Sequence, residues 1–216
     1  DCGARAFWAA GLRPYHRVIH CLNYQLWMGG VTDHFNLETT GATVFPFGVG
    51  NSRQLVRVIR EAGINAISST PSYPRYLEGI VREELGIDPR DLGLELGLFG
   101  GEPGLENPAY RQRIENTWGM KAQNANYGVS DVLCNFAAVC RENYQLHFLG
   151  TGALLFQLID PETGEDLPIE EGTVGEMVLT HLDKEAQPLV RYRTSDVLEI
   201  LGVGPCSCGR TGLRFR

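Results

Sequence analysis

Tyr127-Gly128-Val129-Ser130-Asp131 is the stretch on which the fold turns. It reads as the end of a strand followed by a sharp turn, since glycine accepts backbone angles that side chains forbid. It also separates two halves of different character. Upstream, short apolar runs at residues 17–23, 43–47, 65–69 and 94–99 read as strands, with helical segments between them. The clearest helix places Tyr73, Tyr76, Leu77, Ile80 and Val81 on one stripe at i, i+3, i+4, i+7 and i+8. Thr70 or Ser72 is its N-cap, Pro74 lies in its first turn and Gly86 closes it. Asn107-Pro108 opens another helix in the same way, ending near Gly119. This alternation predicts an α/β fold, with a mostly parallel, helix-covered sheet over residues 1–121. Downstream, residues 145–149, 153–160, 175–182 and 197–201 read as strands. Turn signals such as Asp160-Pro161-Glu162-Thr163-Gly164-Glu165 separate them. Residues 122–216 are therefore expected to form a β-rich, antiparallel subdomain, joined to the first without a loose linker.

Of the 216 residues 43% are hydrophobic, enough to bury a core in one or two domains. A net charge of −7 and the lack of any Lys/Arg run argue against nucleic acid or an anionic membrane as the main partner. The apolar stretches are short and broken by Gly, Pro and charge, so none reads as a membrane span. Six cysteines, at positions 2, 21, 134, 140, 206 and 208, accompany a substantial core. That combination points to reduced thiols or a metal site in a cytoplasmic protein, rather than to a secreted disulfide scaffold. The chain begins at Asp1 rather than Met and shows no signal peptide, which suggests a portion of a longer chain.

Two later segments share the chemistry of the first: Gly175-Glu176-Met177-Val178-Leu179-Thr180 and Tyr192-Arg193-Thr194-Ser195-Asp196. The Ser130 hydroxyl can donate to a phosphate oxygen, and the Asp131 carboxylate can hold Mg²⁺, which takes hard oxygen ligands. The Asp196 carboxylate accepts two hydrogen bonds side by side, which suits the paired hydroxyls of a ribose. Glu102-Pro103 follows Gly100-Gly101 at the carboxyl end of an expected parallel strand, where ligands gather. Taken singly, each of these segments reads first as a solvated turn or ion-paired loop. Cys140, His147, Cys206 and Cys208 make a complete tetrahedral ligand set for structural Zn²⁺. Their spacing departs from the common C-x₂-C pattern, and reduced thiols with a backbone-bonded His147 are the competing reading.

In combination and in order, these segments resemble the adenylate-forming enzymes, the acyl-CoA synthetase class, over essentially all 216 residues. The match is to the phenylacetate-CoA ligase-like branch. It is carried by Thr-Pro-Ser-Tyr at 70–73, Gly-Gly-Glu-Pro at 100–103 and Pro-Glu-Thr-Gly-Glu at 161–165. It continues through Gly-Glu-x-Val-Leu-Thr at 175–180, Lys-Glu-Ala-x-Pro-Leu-x-Arg-Tyr-Arg-Thr at 184–194 and Cys-x-Cys-Gly-Arg-Thr at 206–211. The resemblance implies roles by position. Glu102, Pro103, Asn126 and Tyr127 border the adenine, with Gly128 in the same nucleotide-binding segment. Ser130 lies near the α-phosphate and Asp131 near the metal, as the catalytic positions, and Asp196 binds the ribose. Tyr24 lines the acyl pocket, and Tyr73 or Phe47 also faces it or belongs to ordinary core. A Cys and His after the Tyr-Gly motif and a later Cys-x-Cys occur in the branch, which strengthens the zinc reading for Cys140, His147, Cys206 and Cys208.

The implied cofactors are ATP/AMP, Mg²⁺, coenzyme A and structural Zn²⁺, and the implied partner is a small aromatic carboxylic acid. A homodimer of the full-length protein is a further expectation. The implied reaction activates the acid as an acyl-adenylate and then forms the CoA thioester. Two departures stand out. Asp131 replaces the usual Glu, shortening its reach by about one C–C bond, about 1.5 Å. Ser195 replaces the usual Gly before the ribose-binding Asp, where a less permissive backbone results. The family's Ser/Thr/Gly-rich phosphate loop would precede residue 1 and its lysine-bearing C-terminal domain would follow Arg216. These 216 residues alone are therefore expected to catalyse little adenylation. The alternatives are a non-catalytic nucleotide-binding or regulatory homologue, and an adenylate-forming enzyme with a different acceptor.

Overall fold

Strand and helix alternate through the first half, as the apolar periodicity requires. In the computed structural model, which describes all 216 residues, α1 (Cys2–Ala10) leads into β1 (Arg17–His20), α2 (Met28–Thr39) and β2 (Thr43–Pro46). Then follow α3 (Ser52–Glu61), β3 (Ala66–Ser69), α4 (Tyr73–Leu85), a short 3₁₀ turn at Pro89–Leu92, β4 (Leu96–Gly100) and α5 (Pro108–Trp118). The start and stop chemistry of the last two helices is plain. Gly86 ends α4 at φ 64°, a left-handed angle that suits glycine. The Asn107 side chain accepts from the Ala109 backbone N–H (2.9 Å) at the start of α5, and Gly119 ends it at φ 71°.

β5 (Lys121–Val129) is parallel to β4 and completes a parallel run in the order β2-β1-β3-β4-β5. Its other edge pairs antiparallel with β6 (Leu133–Val139). Beyond come β7 (Leu146–Phe148), β8 (Leu154–Ile159), β9 (Asp166–Leu167), β10 (Val174–His181), β11 (Tyr192–Gly202) and β12 (Arg214–Phe215). All 12 strands form one continuous sheet that ends β5-β6-β7-β12-β11-β10-β8-β9. The change of character near residue 121 is thus a change of strand direction within one sheet, with β5 bonded on both sides.

The expectation that Gly128 marks the turn after a strand is corrected here. β5 runs through Gly128 to Val129, and the chain turns over residues 130–132. Glycine is needed for close approach instead: a Cβ there would collide with the backbone carbonyls of Leu133 and Cys134 on β6. On one face of the parallel strands, α3, α4 and α5 bury Leu55, Ile59, Leu77, Val81 and Trp118 against Ile19, Ile67 and Phe99. On the other, α1 and α2 bury Phe7, Ala10 and Leu37 against Val18, Ala66, Leu98 and Ala125. The antiparallel strands carry their own core around Phe136, Phe156, Met177, Ile200 and Phe215. Each large side chain fully buried in these layers contributes about 1.5–3 kcal/mol. No helix is long and apolar enough to cross a membrane.

Candidate functional site

Where the carboxyl edge of the parallel strands meets the antiparallel half, a cavity of about 620 Å³ opens. The turn after β4 gives it Gly101, Glu102 and Pro103, β5 gives Asn124, Asn126, Tyr127 and Gly128, and the following turn gives Ser130. Asp196 reaches it from β11, and Phe215 and Arg216 close the far side. Seven residues expected to handle nucleotide therefore share one wall system: Glu102, Pro103, Asn126, Tyr127, Gly128, Ser130 and Asp196.

The three motifs that deliver them are bonded to one another. The Tyr127 hydroxyl donates to Asp196 Oδ2 at 2.7 Å, and burial, reinforced by that carboxylate, pushes the Tyr127 pKa up and keeps the donor protonated. The Tyr192 hydroxyl donates to Asp131 Oδ2 at 3.2 Å. Glu176, buried on β10, receives the Arg193 guanidinium and the Ser195 backbone N–H (3.1 Å). The hydrogen bonds from Arg193 hold the Glu176 carboxyl below its ordinary pKa, so it stays ionised. This clamp fixes the irregular stretch of β11 in which Ser195 takes φ 64°, a left-handed angle that favours glycine. That stretch of strand aims Asp196 at the cavity. A second tie joins the turns on the opposite wall: Glu102 Oε2 accepts from the Ser72 N–H (3.3 Å), and the Tyr110 hydroxyl donates to the Pro71 carbonyl (2.8 Å).

Besides the Cys/His set, four expected site residues lie outside this cavity. Asp131 sits exposed on the 130–132 turn, beside Ser130. Tyr24 stacks edge-on to His20 and bonds His34 Nδ1 through its hydroxyl (3.0 Å). Phe47 packs against the core under α3 and α4, and the Tyr73 hydroxyl bonds Ser52 Oγ at 2.8 Å. Trp27 also stands on the cavity wall, and the aromatic residues there that sequence reasoning did not assign are Tyr144 and Phe215. Glu176 went unassigned as well, although a charged residue inside an apolar strand run is a readable sign of a buried ion pair. Tyr144 gave no such sign, because its role depends on folding. Its hydroxyl donates to the Ala122 carbonyl (2.7 Å) and accepts from the Asn124 N–H (3.1 Å), satisfying a β5 edge that β6 does not reach.

Beside the cavity, Cys140, His147, Cys206 and Cys208 converge, with their ligand atoms all within 4.8 Å of one another. Cys140 Sγ lies 4.0 Å from Cys206 Sγ, and Cys208 Sγ 3.8 Å from His147 Nε2. Corners of a tetrahedron around Zn²⁺ stand about 3.3–3.8 Å apart, so three thiols and one imidazole at these spacings suit that ion. Burial, with Arg210 and Arg214 nearby, holds His147 down to about 4, which leaves its ring neutral and able to offer a lone pair. Asn143 Nδ2 and Arg210 Nη1 point at the Cys206 and Cys208 sulfurs (2.9 and 3.5 Å), the kind of outer contact that favours thiolate. The connection after Cys140 also supplies Tyr144 to the cavity wall, and β12, which follows Cys206 and Cys208 and pairs with the strand of His147, supplies Phe215.

No family model matches the sequence. The phenylacetate-coenzyme A ligase of Thermus thermophilus is 38% identical over 213 residues, 98% of this chain and 46% of its own length. The Escherichia coli phenylacetate-coenzyme A ligase is 33% identical over 199 residues, 92% of this chain and 44% of its own length. Among solved structures, 2-hydroxyisobutyryl-CoA ligase in complex with 2-HIB-AMP and CoA matches 98% of this chain with a TM-score of 0.87 at 29% identity, over 46% of its length. A long-chain-fatty-acid-CoA ligase from Archaeoglobus fulgidus shares the fold at a TM-score of 0.63 and 16% identity. The chain spans under half the length of the curated relatives it matches.

Proposed function

Because this chain belongs to the phenylacetate-CoA ligase-like branch of the adenylate-forming enzymes, we propose that it carries the nucleotide-binding part of an ATP-dependent acid–CoA ligase. The observation that supports this is the single cavity shared by Glu102, Asn126, Tyr127, Ser130 and Asp196, with its motifs cross-bonded through Tyr127 and Asp196. In this reading the substrate carboxylate attacks the α-phosphate of ATP, pyrophosphate leaves, and an acyl-adenylate forms. The thiol of coenzyme A then attacks the acyl carbon and AMP departs. Ser130 donates to an α-phosphate oxygen. Asp196 takes the ribose hydroxyls, with one oxygen already oriented by Tyr127. Glu102, Pro103, Asn126, Tyr127 and Gly128 surround the base. Mg²⁺ at Asp131 supplies charge neutralisation on the phosphates when bound. The protein groups position and stabilise developing charge, which is where most of the rate comes from in such chemistry.

The acid in this proposal is aromatic, phenylacetate-like or benzoate-like. Support comes from the names of the relatives and from Trp27 on the cavity wall, while Tyr24, Phe47 and Tyr73 take the acyl side by position. Structural Zn²⁺ on Cys140, His147, Cys206 and Cys208 is part of the same proposal, supported by the convergence of their ligand atoms. A cytoplasmic setting fits six unpaired thiols. Calorimetric titration with AMP tests the nucleotide site. The chain is expected to bind AMP, and Asp196→Ala to bind it about tenfold more weakly or worse. No AMP binding by the unsubstituted chain, or an unchanged affinity in Asp196→Ala, overturns the reading.

A further inference from the structure

Asp33 stands on α2 with no exposure to solvent, an unusual place for a carboxyl. Its Oδ2 accepts a hydrogen bond from Asn126 Nδ2, and its Oδ1 has no partner at all. Asn126 is a cavity residue, and Asp33 Oδ2 is its only side-chain hydrogen-bond partner. Its side-chain amide therefore sits on the cavity wall with its NH₂ tied to the buried carboxyl. A buried carboxyl and a cavity-wall amide thus form a two-residue unit, with one end in the core and the other at the proposed base-binding site.

We propose that Asp33 is a positioning residue that sets which end of the Asn126 amide faces the cavity, and thereby which purine the cavity prefers. The proposal rests on the nucleotide-site reading. An ionised carboxylate can only accept, so it draws the NH₂ of Asn126 inward and leaves the amide oxygen outward. An outward acceptor matches the exocyclic amine of adenine, which donates. It repels the keto oxygen that hypoxanthine carries at the same position. Without the carboxylate the amide turns either way round and offers NH₂ to a keto group as readily as oxygen to an amine.

Burial pushes the Asp33 pKa up to about 8, against the opposing hydrogen bond from Asn126, so its charge changes within an accessible range. The titratable groups facing it are the Cys134 thiol on β6 and the Tyr24 phenol in the loop before α2. Both are pushed up by burial and stay neutral through that range. β5 faces it with the uncharged Asn126, and α1 meets α2 at Gly3 against Asn36, with no charge.

The test compares dissociation constants for AMP and IMP at pH 9, where Asp33 is mostly ionised, and at pH 5.5, in the unsubstituted chain and in Asp33→Asn. Asparagine keeps the shape but can either donate or accept, so it orients nothing and introduces no cavity. The unsubstituted chain is expected to prefer AMP by about fivefold at pH 9, the scale of one mismatched polar contact in the ionised form diluted by the remaining protonated molecules. That preference shrinks at pH 5.5. In Asp33→Asn it stays within about twofold at both pH values. A loss of packing alone would weaken both nucleotides together and leave the ratio unchanged. Retention of the AMP preference in Asp33→Asn, or a preference in the unsubstituted chain that is the same at both pH values, overturns the proposal while leaving the nucleotide site standing. Failure of the unsubstituted chain to bind AMP removes both.

Discussion

Ser195 shows how much a single backbone angle can say about a site. The family pattern has glycine there, and this chain holds a serine at φ 64° instead. The left-handed region costs a residue with a Cβ about 1–2 kcal/mol. What keeps it there is the Glu176 carboxylate, which takes the Ser195 N–H and the Arg193 guanidinium together. The strain is thus offset by the ion pair of buried Glu176 with the half-exposed Arg193, and it serves to aim Asp196. Ser195→Gly should relieve it, partly balanced by the greater freedom glycine has in the unfolded chain. The expected result is a gain of about 0.5–1 kcal/mol, or roughly 1–4 °C in Tm for a chain of this length, with AMP affinity retained. A thermal melt in which Ser195→Gly is less stable than the parent would show that the angle carries no strain.

At the scale of elements, what was legible in the sequence tracks how strongly each element obeys its own period. α4 and α5 were readable because their caps and apolar stripes agree, and β1 to β4 because each falls in a short apolar run between breakers. α2 was not readable: it buries Gly29, Gly30 and Asp33 while exposing Met28, Val31 and Phe35, which inverts the usual pattern. β5 carries Gln123, Asn124 and Asn126, residues that favour turns, and becomes a strand because β4 and β6 flank it. The cavity-facing members of the site were legible through motif order. Tyr144 and Asp33 were not, since each acts on a residue distant in sequence, while Glu176 showed only as a charge inside an apolar run, without its partners. The Cys/His cluster lies between these cases, since its members were visible but their convergence depends on β6, β7 and the β11–β12 connection. Those loops hold Tyr144 against β5 and Phe215 at the cavity, so metal and nucleotide should be linked. Purified protein is expected to contain close to one zinc per chain by elemental analysis. Chelation should lower its Tm and weaken AMP binding several-fold, with Cys208→Ser behaving like the chelated protein. Zinc-free protein with full AMP affinity would separate the two sites.

Across the whole molecule, buried ionisable groups set how stability responds to pH, and two of them act in opposite directions. His20 is wholly buried between β1, β3 and α2, bonded to Ser68 Oγ and the Gly30 carbonyl at 3.0 Å each. Burial pulls it down to about 4, so the unfolded chain takes up a proton first and stability is lost as pH falls from 6.5 towards 4. Asp33 is raised by burial from 3.8 to about 8. Its folded form keeps a proton that the unfolded form releases, so stability is full below about 4 and is lost as pH rises towards 8. Between pH 4 and 6.5 the two terms oppose each other, and above 6.5 only Asp33 remains of the pair. Asp33→Asn isolates it, because every other group is shared with the parent and cancels in the difference. The stability gained on that substitution should therefore grow with pH between about 4 and 8, with a slope of up to about 1.4 kcal/mol per pH unit. Urea titrations of zinc-loaded parent and variant at several pH values would measure it. A gain that does not change with pH would mean that the carboxyl is ionised in the fold throughout. The Asn126 amide would then be held one way round at every pH, and the expected weakening of AMP preference in acid would disappear with it.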